Sequence, residues 1–212
     1  MMWVVVGVAS LFLLKAGAAK SLVPSKIQSM AELLVEFIQG IIQDTMGPSG
    51  MRYFPLISSL FLFILFCNLL GLIPGTYTVT SQIIVTGVFA IGVYGLSLVM
   101  GFKLHGAKFL PGILIPPGTP GWLLPLMIPI EIISQIARPI SLAVRLFANM
   151  TAGHVILGVL VGLTITGGLL IGWLPFSFTI VLYGLEVGIA FIQAYIFTVL
   201  TCVYMGDAIH LH

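Results

Sequence analysis

Apolar residues run through this chain in long stretches, broken by short polar or proline-rich punctuation. The first stretch, about residues 2–18, carries Lys15 near its end and is followed by Lys20 and Lys26. Between 27 and 50 the pattern changes. Ile27, Met30, Leu33, Leu34, Phe37, Ile38, Ile41 and Ile42 recur at helical spacing, while Glu32, Glu36, Gln39 and Gln43 take the other side. This predicts an amphipathic helix on the membrane surface, ended by Gly47-Pro48-Ser49-Gly50. Uninterrupted apolar runs return from about Pro55 to Ile73 and from Ile83 to Phe102. Pro74-Gly75 and the polar turn Thr76–Gln82 separate them, and Lys103, His105 and Lys108 follow.

Residues 111–129 hold Pro111, Pro116, Pro117, Pro120, Pro125 and Pro129, a density that predicts a loop or broken re-entrant segment. Beyond it, an apolar stretch from Ile130 to about Thr166 would make roughly 55 Å of helix, and one from Pro175 to Met205 roughly 46 Å. Both exceed the roughly 30 Å hydrocarbon thickness of a bilayer. Joined by Gly167–Trp173, they predict a helical hairpin steeply tilted, almost along the membrane plane. The expected fold class is an all-α integral membrane protein, organised as one membrane domain over 1–212. Its parts are a first span with a basic flank (1–26), an interfacial helix (27–50), a spanning hairpin (51–110), a proline-rich loop (111–129) and the tilted hairpin (130–212).

Composition sharpens this picture. The chain is 59% hydrophobic and 7% charged, with a mean hydropathy of +1.21; soluble domains carry about 25% charged residues. A net charge of +2 without a Lys/Arg run gives no basis for nucleic-acid binding. If the spans alternate, Lys15, Lys20, Lys26, Arg52, Lys103 and Lys108 share one side, the matrix or cytoplasm by the positive-inside rule. Cys67 and Cys202 lack metal-ligand spacing and read as small core residues. The first stretch has no basic n-region before it, so it reads as a membrane helix rather than a signal peptide.

The chemistry lies in the few polar groups of the 130–212 hairpin: Glu131, Ser134, Gln135, Arg138, Arg145, Asn149, His154, Glu186, Gln193 and Asp207. Arg145 is the most demanding, because arginine does not shed its proton and costs roughly 2.5–3.5 kcal/mol or more at mid-helix in a membrane. It has no acid four residues away on its own helix. Asn149 shares its face, and His154, nine residues on, looks the opposite way. Strung along the hairpin, these groups suit a conduction route better than a converging pocket, since chains of Glu, His and Asp mark proton pathways. Each has a structural reading too. His154 and Glu186 could pair, Asn149 and Gln193 could be interhelical glue, and Glu131 and Asp207 could meet interfacial water.

The stretch RPISLAVRLFANMTAGH, with IQAYIFTVLTCVY near the C-terminus, closely resembles subunit a of the F-type ATP synthase. LVPSKIQSMAELLVEFI, LFLFILFCNLLGLIP, GFKLHGAKFL and PIEIIS match the family pattern in order. The resemblance implies a proton-translocating subunit without catalytic chemistry or cofactor of its own. Two offset half-channels would exchange protons with the carboxylates of a rotating c-ring. The expected partners are that ring, the peripheral-stalk and other membrane subunits, lipid and protons. Arg145 matches the essential arginine, Asn149 and Gln193 its flanking positions, His154 and Glu186 the outer half-channel, and Glu131 and Asp207 the inner one. The His/Glu order resembles mitochondrial and alphaproteobacterial members, with the mitochondrial inner membrane as the expected location and a bacterial plasma membrane as the alternative. Gly71 stands where some bacterial members carry an acid, and the polar stretch that usually precedes the first helix is absent. A secondary transporter or channel with an arginine substrate site is the competing class. It predicts repeated broken helices, and the sequence shows no repeat. A haem-binding subunit would need paired central ligands, and His154 is the sole central histidine.

Overall fold

A computed structural model describes residues 2–18, 26–73, 81–106, 109–114 and 123–209. Lys20, Pro74-Gly75, most of the 76–82 turn, Lys108, Pro116, Pro117, Pro120, His210 and His212 lie outside the described residues. The elements are α1 (Met2–Ala18), α2 (Lys26–Met46), a short 3-10 helix (Pro48–Tyr53), α3 (Phe54–Gly71), α4 (Ile83–His105), α5 (Phe109–Leu114), α6 (Leu124–Ile171) and α7 (Trp173–Ile209). Among the described residues, all regular structure is helical. Four stretches, Pro48–Gly71, Ile83–His105, Leu124–Gly168 and Trp173–Ile209, are long and apolar enough to cross a membrane. The fold is that of an all-α membrane protein. The apolar stretch of α1, Met2–Lys15, is shorter.

One expectation needs correcting. The proline-rich region is not loop throughout: α5 contains Pro111, and α6 starts at Leu124 and runs through Pro125 and Pro129. Pro125 sits in the first turn, where its missing N–H would have no intrahelical acceptor. Pro129 deletes only the bond to the Pro125 carbonyl, close to the helix end. The correction holds for 111–114 and 124–129; Pro116, Pro117 and Pro120 lie outside the described residues.

Helix α6 is continuous over the 45 residues Leu124–Gly168, roughly 68 Å, and α7 has 37, roughly 56 Å. Large apolar side chains lie exposed along α6 from Leu126 to Ile171. An upright helix would leave many of them in water. Kept within roughly 30 Å of hydrocarbon, helices this long must incline by about 55° or more from the normal. The chain reverses at Gly168, whose φ of 55° and ψ of −156° lie where a side chain would clash.

Burial divides α7 in two. From Trp173 to Tyr195 it still exposes large apolar side chains, whereas Phe197, Thr198, Thr201, Cys202, Tyr204 and Met205 are buried. Helices α2, α3 and α4 all pack on α7. The apolar face of α2 is shared: Ile38, Ile41, Ile42 and Met46 enter the core, and Met30, Leu33 and Phe37 stay exposed. The Phe37 and Tyr195 rings stand 5.7 Å apart, and a Cβ at Gly206 would lie 3.3 Å from the Thr45 carbonyl oxygen. Helix α2 therefore runs beside the second half of α7 in the same direction.

Candidate functional site

The polar groups of α6 and α7 meet in antiparallel order. Arg138 pairs with Asp207, Asn149 Nδ2 donates to Gln193 Oε1 at 2.9 Å, and Gly153 lies against Glu186. These contacts form two separate clusters with a junction between them.

The first cluster sits where α4 and α7 end. Arg138 Nη1 donates to Asp207 Oδ2 at 3.1 Å, and Nη2 is 3.9 Å from Glu131 Oε1. Gln135 Nε2 donates to the same Glu131 oxygen at 2.9 Å, and Tyr94 Oη on α4 donates to Gln135 Oε1 at 2.9 Å. The Arg138 guanidinium lies 5.5 Å from the centroid of the Tyr204 ring. His105 Nε2 is 3.2 Å from the Ile209 carbonyl oxygen, which brings the basic end of α4, with Lys103, to this end of the hairpin. Glu131 and Asp207, far apart in sequence, are thus joined by Arg138, a residue the sequence offered only as one polar group among several.

The second cluster sits where α3 ends. His154 places Nδ1 2.8 Å from the Met150 carbonyl oxygen and Nε2 3.0 Å from that of Gly71. Tyr183 Oη donates to the Leu72 carbonyl at 3.0 Å. The last carbonyls of a helix have no intrahelical donor, and two other helices supply donors to this one. A neutral imidazole can donate to one of its two carbonyls and only the imidazolium to both. Glu186 is 9% exposed. A Cβ at Gly153 would overlap its Oε1 and stand 2.8 Å from Cδ, so glycine is what lets the carboxylate in. A cavity of about 160 Å³ is lined by Glu186, His154, Gly153, Met150, Asn149 and Leu72, among others. Glu186 Oε2 and Thr151 Oγ1 are buried without a hydrogen-bond partner among the described residues.

Between the clusters, Asn149 borders the cavity and holds Gln193, which is 1% exposed. The neighbouring Asn68 of α3 reaches the Ala190 carbonyl oxygen at 3.5 Å. Arg145 points out of the protein and makes no hydrogen bond or ion pair among the described residues. His154 lies half-buried against α3, opposite Arg145, as the helical spacing predicts. Arg138 and His154 are sixteen residues apart, roughly 24 Å along α6, and the clusters lie toward opposite ends of α3.

Comparison with known proteins bears on this arrangement. The profile of the ATP synthase A chain matches residues 1–206. The chain belongs to the ATP synthase A chain family. Similar relatives include ATP synthase subunit a of Magnetococcus marinus, 49% identical over 218 residues, covering 100% of this chain and 83% of the relative. That of Pelagibacter ubique is 47% identical over 210 residues, covering 99% and 86%. That of Rhizobium johnstonii is 51% identical over 209 residues, covering 96% and 83%. Membership of the ATP synthase A chain family gives the chain a role in the membrane sector of the F-type complex, as a conducting subunit rather than an enzyme by itself. These relatives are bacterial, which supports a plasma membrane and lends nothing to the mitochondrial expectation.

The sequence singled out Arg145, Asn149, Gln193, His154, Glu186, Glu131 and Asp207. The structure brings Asn149 to Gln193, His154 to the cavity of Glu186, and Glu131 to Asp207 through Arg138, and Arg145 has no hydrogen bond or ion pair among the described residues. Sequence reasoning missed the backbone partners of His154 and the part played by Gly153. Two-turn spacing from Glu131 to Arg138 was the one available signal for the first cluster.

Proposed function

We propose that this chain forms two offset proton half-channels that serve the carboxylates of a rotating c-ring, with Arg145 as the barrier between them. The observation that carries the reading is Arg145 itself: an outward-facing guanidinium with no ion pair among the described residues, set between two polar clusters. A charge with no ion pair among the described residues, held in lipid, calls for a partner from outside. A carboxylate carried past on another subunit meets that need, and a nearby cation favours its ionised form.

In this reading, the Glu186–His154 cavity is the outer route. Its buried, unpartnered Glu186 Oε2 is the kind of oxygen that water satisfies, and its lining reaches Asn149, one turn from Arg145. A proton passing this way neutralises a ring carboxylate, which then re-enters lipid uncharged. Glu131 and Asp207 form the inner route, on the side of the basic loops. Arg145 neither accepts nor gives up a proton at working pH, so the routes communicate only through the moving carboxylate. The remaining expected partners are the peripheral stalk and neighbouring membrane subunits, and the bacterial relatives favour a plasma membrane location. A transporter with one substrate pocket would gather these groups at a point, and here they stand roughly 24 Å apart.

Side-specific thiol labelling tests the proposal. Cys67 and Cys202 are 1% and 0% exposed, so they can stay in place. Single cysteines at 131, 186 and 207 in the assembled complex are treated with a membrane-impermeant reagent from one side at a time. Positions 131 and 207 should react from the side of Arg52 and Lys103, and 186 from the other. Reaction of all three from one side would mean a single continuous pore and would overturn the two-route reading.

A further inference from the structure

We infer that Arg138 is a positioning residue of the inner route: its guanidinium holds Glu131 and Asp207 as one cluster and fixes the end of α7 against α4 and α6. The inference rests on the two-route reading and adds a residue to it. Both ion pairs found among the described residues belong to Arg138, and separate nitrogens of its planar fork serve the two acids. A fork can divide itself this way where a point charge cannot.

The contacts close into a ring through three helices. Arg138 lies over Tyr204, and the Tyr204 ring meets Tyr94 edge-on at 6.2 Å. Tyr94 donates to Gln135, Gln135 donates to Glu131, and Glu131 returns to Arg138. The groups facing Arg138 are thus Tyr94 from α4, Glu131 and Gln135 from α6, and Tyr204 and Asp207 from α7. Arg145 follows two turns along α6, and His105 holds the Ile209 carbonyl near Asp207. Exposure is graded across the cluster, from 54% for the Asp207 side chain to 20% for Glu131. This is the order in which a proton route would lead from water inward. Pro139, buried next to Arg138, has no N–H to give to the Gln135 carbonyl, so the helix itself is more polar at this point.

Two acids against one guanidinium leave the cluster one negative charge in excess. Without Arg138, two like charges would stand side by side with no cation between them, and nothing would keep their side chains in one place. Restoring a cation at 138 should therefore relieve the defect, even as a lysine that reaches only one acid well. A residue that only filled space would gain nothing from the charge.

The test uses the intact ATP synthase in inverted membrane vesicles, with ATP-driven proton pumping scaled to the amount of assembled complex. R138Q should pump at least about fivefold less per complex than the parent, within the range of coupling between charged neighbours. R138K, which keeps a cation between the two acids and leaves both in place, should recover part of that loss. Pumping by R138Q within twofold of the parent, or R138K no better than R138Q, overturns the inference. If R138Q fails to assemble, yield decides instead: restored assembly of R138K supports the cluster, and equal failure of the two overturns it. R145K in the same vesicles separates this inference from the reading beneath it. Normal pumping by R145K defeats the two-route reading, whereas a dead R145K with a parent-like R138Q defeats only the role given to Arg138.

Discussion

Arg138 and Arg145 are the same side chain, two turns apart on one helix, in opposite circumstances. Arg138 has two carboxylates, an aromatic face and a buried proline beside it. Arg145 has no ion-pair partner among the described residues and faces outward. Among the described residues, one cation is satisfied within the chain and the other is not. In the proposed reading, the difference separates a charge that builds structure from a charge that acts on a partner. Residue type does not distinguish them; an acid two turns back on α6 and the acid and aromatic ring that α7 brings alongside do.

The strongest way to break this contrast is to change Arg145. R145K should assemble and lose coupled proton pumping, because an ammonium can deprotonate and lacks the fork that engages a passing carboxylate. Pumping in reconstituted vesicles at half the parent rate or more would make the two arginines alike in being replaceable.

A smaller loss is expected at the far cluster. H154A and E186Q should each slow proton uptake from the outer side by about tenfold, equivalent to ~1.4 kcal/mol, since water can replace either group in a hydrated cavity. The exchange H154E/E186H should pump better than either single exchange. If it pumps no better than the worse one, the two residues do not act as a pair.

Gly153 sharpens the same point sterically. In G153A the new methyl group must displace the Glu186 carboxylate, and overpacking of this kind costs about 1–3 kcal/mol. The expected result is a lower thermal inactivation temperature of the complex, together with a pumping defect like that of E186Q. Unchanged pumping with lowered stability would mean that the placement of Glu186 is structural only.

The smallest effect belongs to the junction. N149A removes the hydrogen bond to Gln193, and interhelical bonds in membranes average about 0.6 kcal/mol. Resistance of the complex to denaturing detergent should fall slightly. A loss as large as that of G153A would make the junction, rather than the clusters, the main tie between α6 and α7.

Much of the fold could be read from residues alone, because the bilayer leaves few choices. Over-long apolar stretches imply tilted helices, and a 3.6-residue pattern with one polar side implies an amphipathic α2. Arg145 stood out for the same reason: an unswitchable charge in an apolar run has few explanations. What could not be read is what depends on backbone groups or on cross-helix register. The carbonyls that receive His154 belong to Met150 and Gly71, which carry no sign of it in their side chains. Arg138 is one polar group among several in the sequence, and only Asp207 of α7 beside it singles it out. The prolines at 125 and 129 misled because their effect depends on how far they stand from a helix start, which the sequence does not mark. Likewise, α2 showed its apolar face but not that α7 takes half of it.

The antiparallel order of the α6–α7 hairpin has one more consequence. An interface of leucine, isoleucine, valine and alanine is smooth, and sliding one helix by a turn, about 5.4 Å, would exchange similar contacts for similar ones. Arg138–Asp207, Asn149–Gln193 and Gly153–Glu186 all follow that order, so a one-turn slip would break the three together rather than one by one. The pairs work like the teeth of a key. Each adds little to the holding force, but as a set they allow only one depth of insertion, and that depth decides where along the bilayer Arg145 is presented.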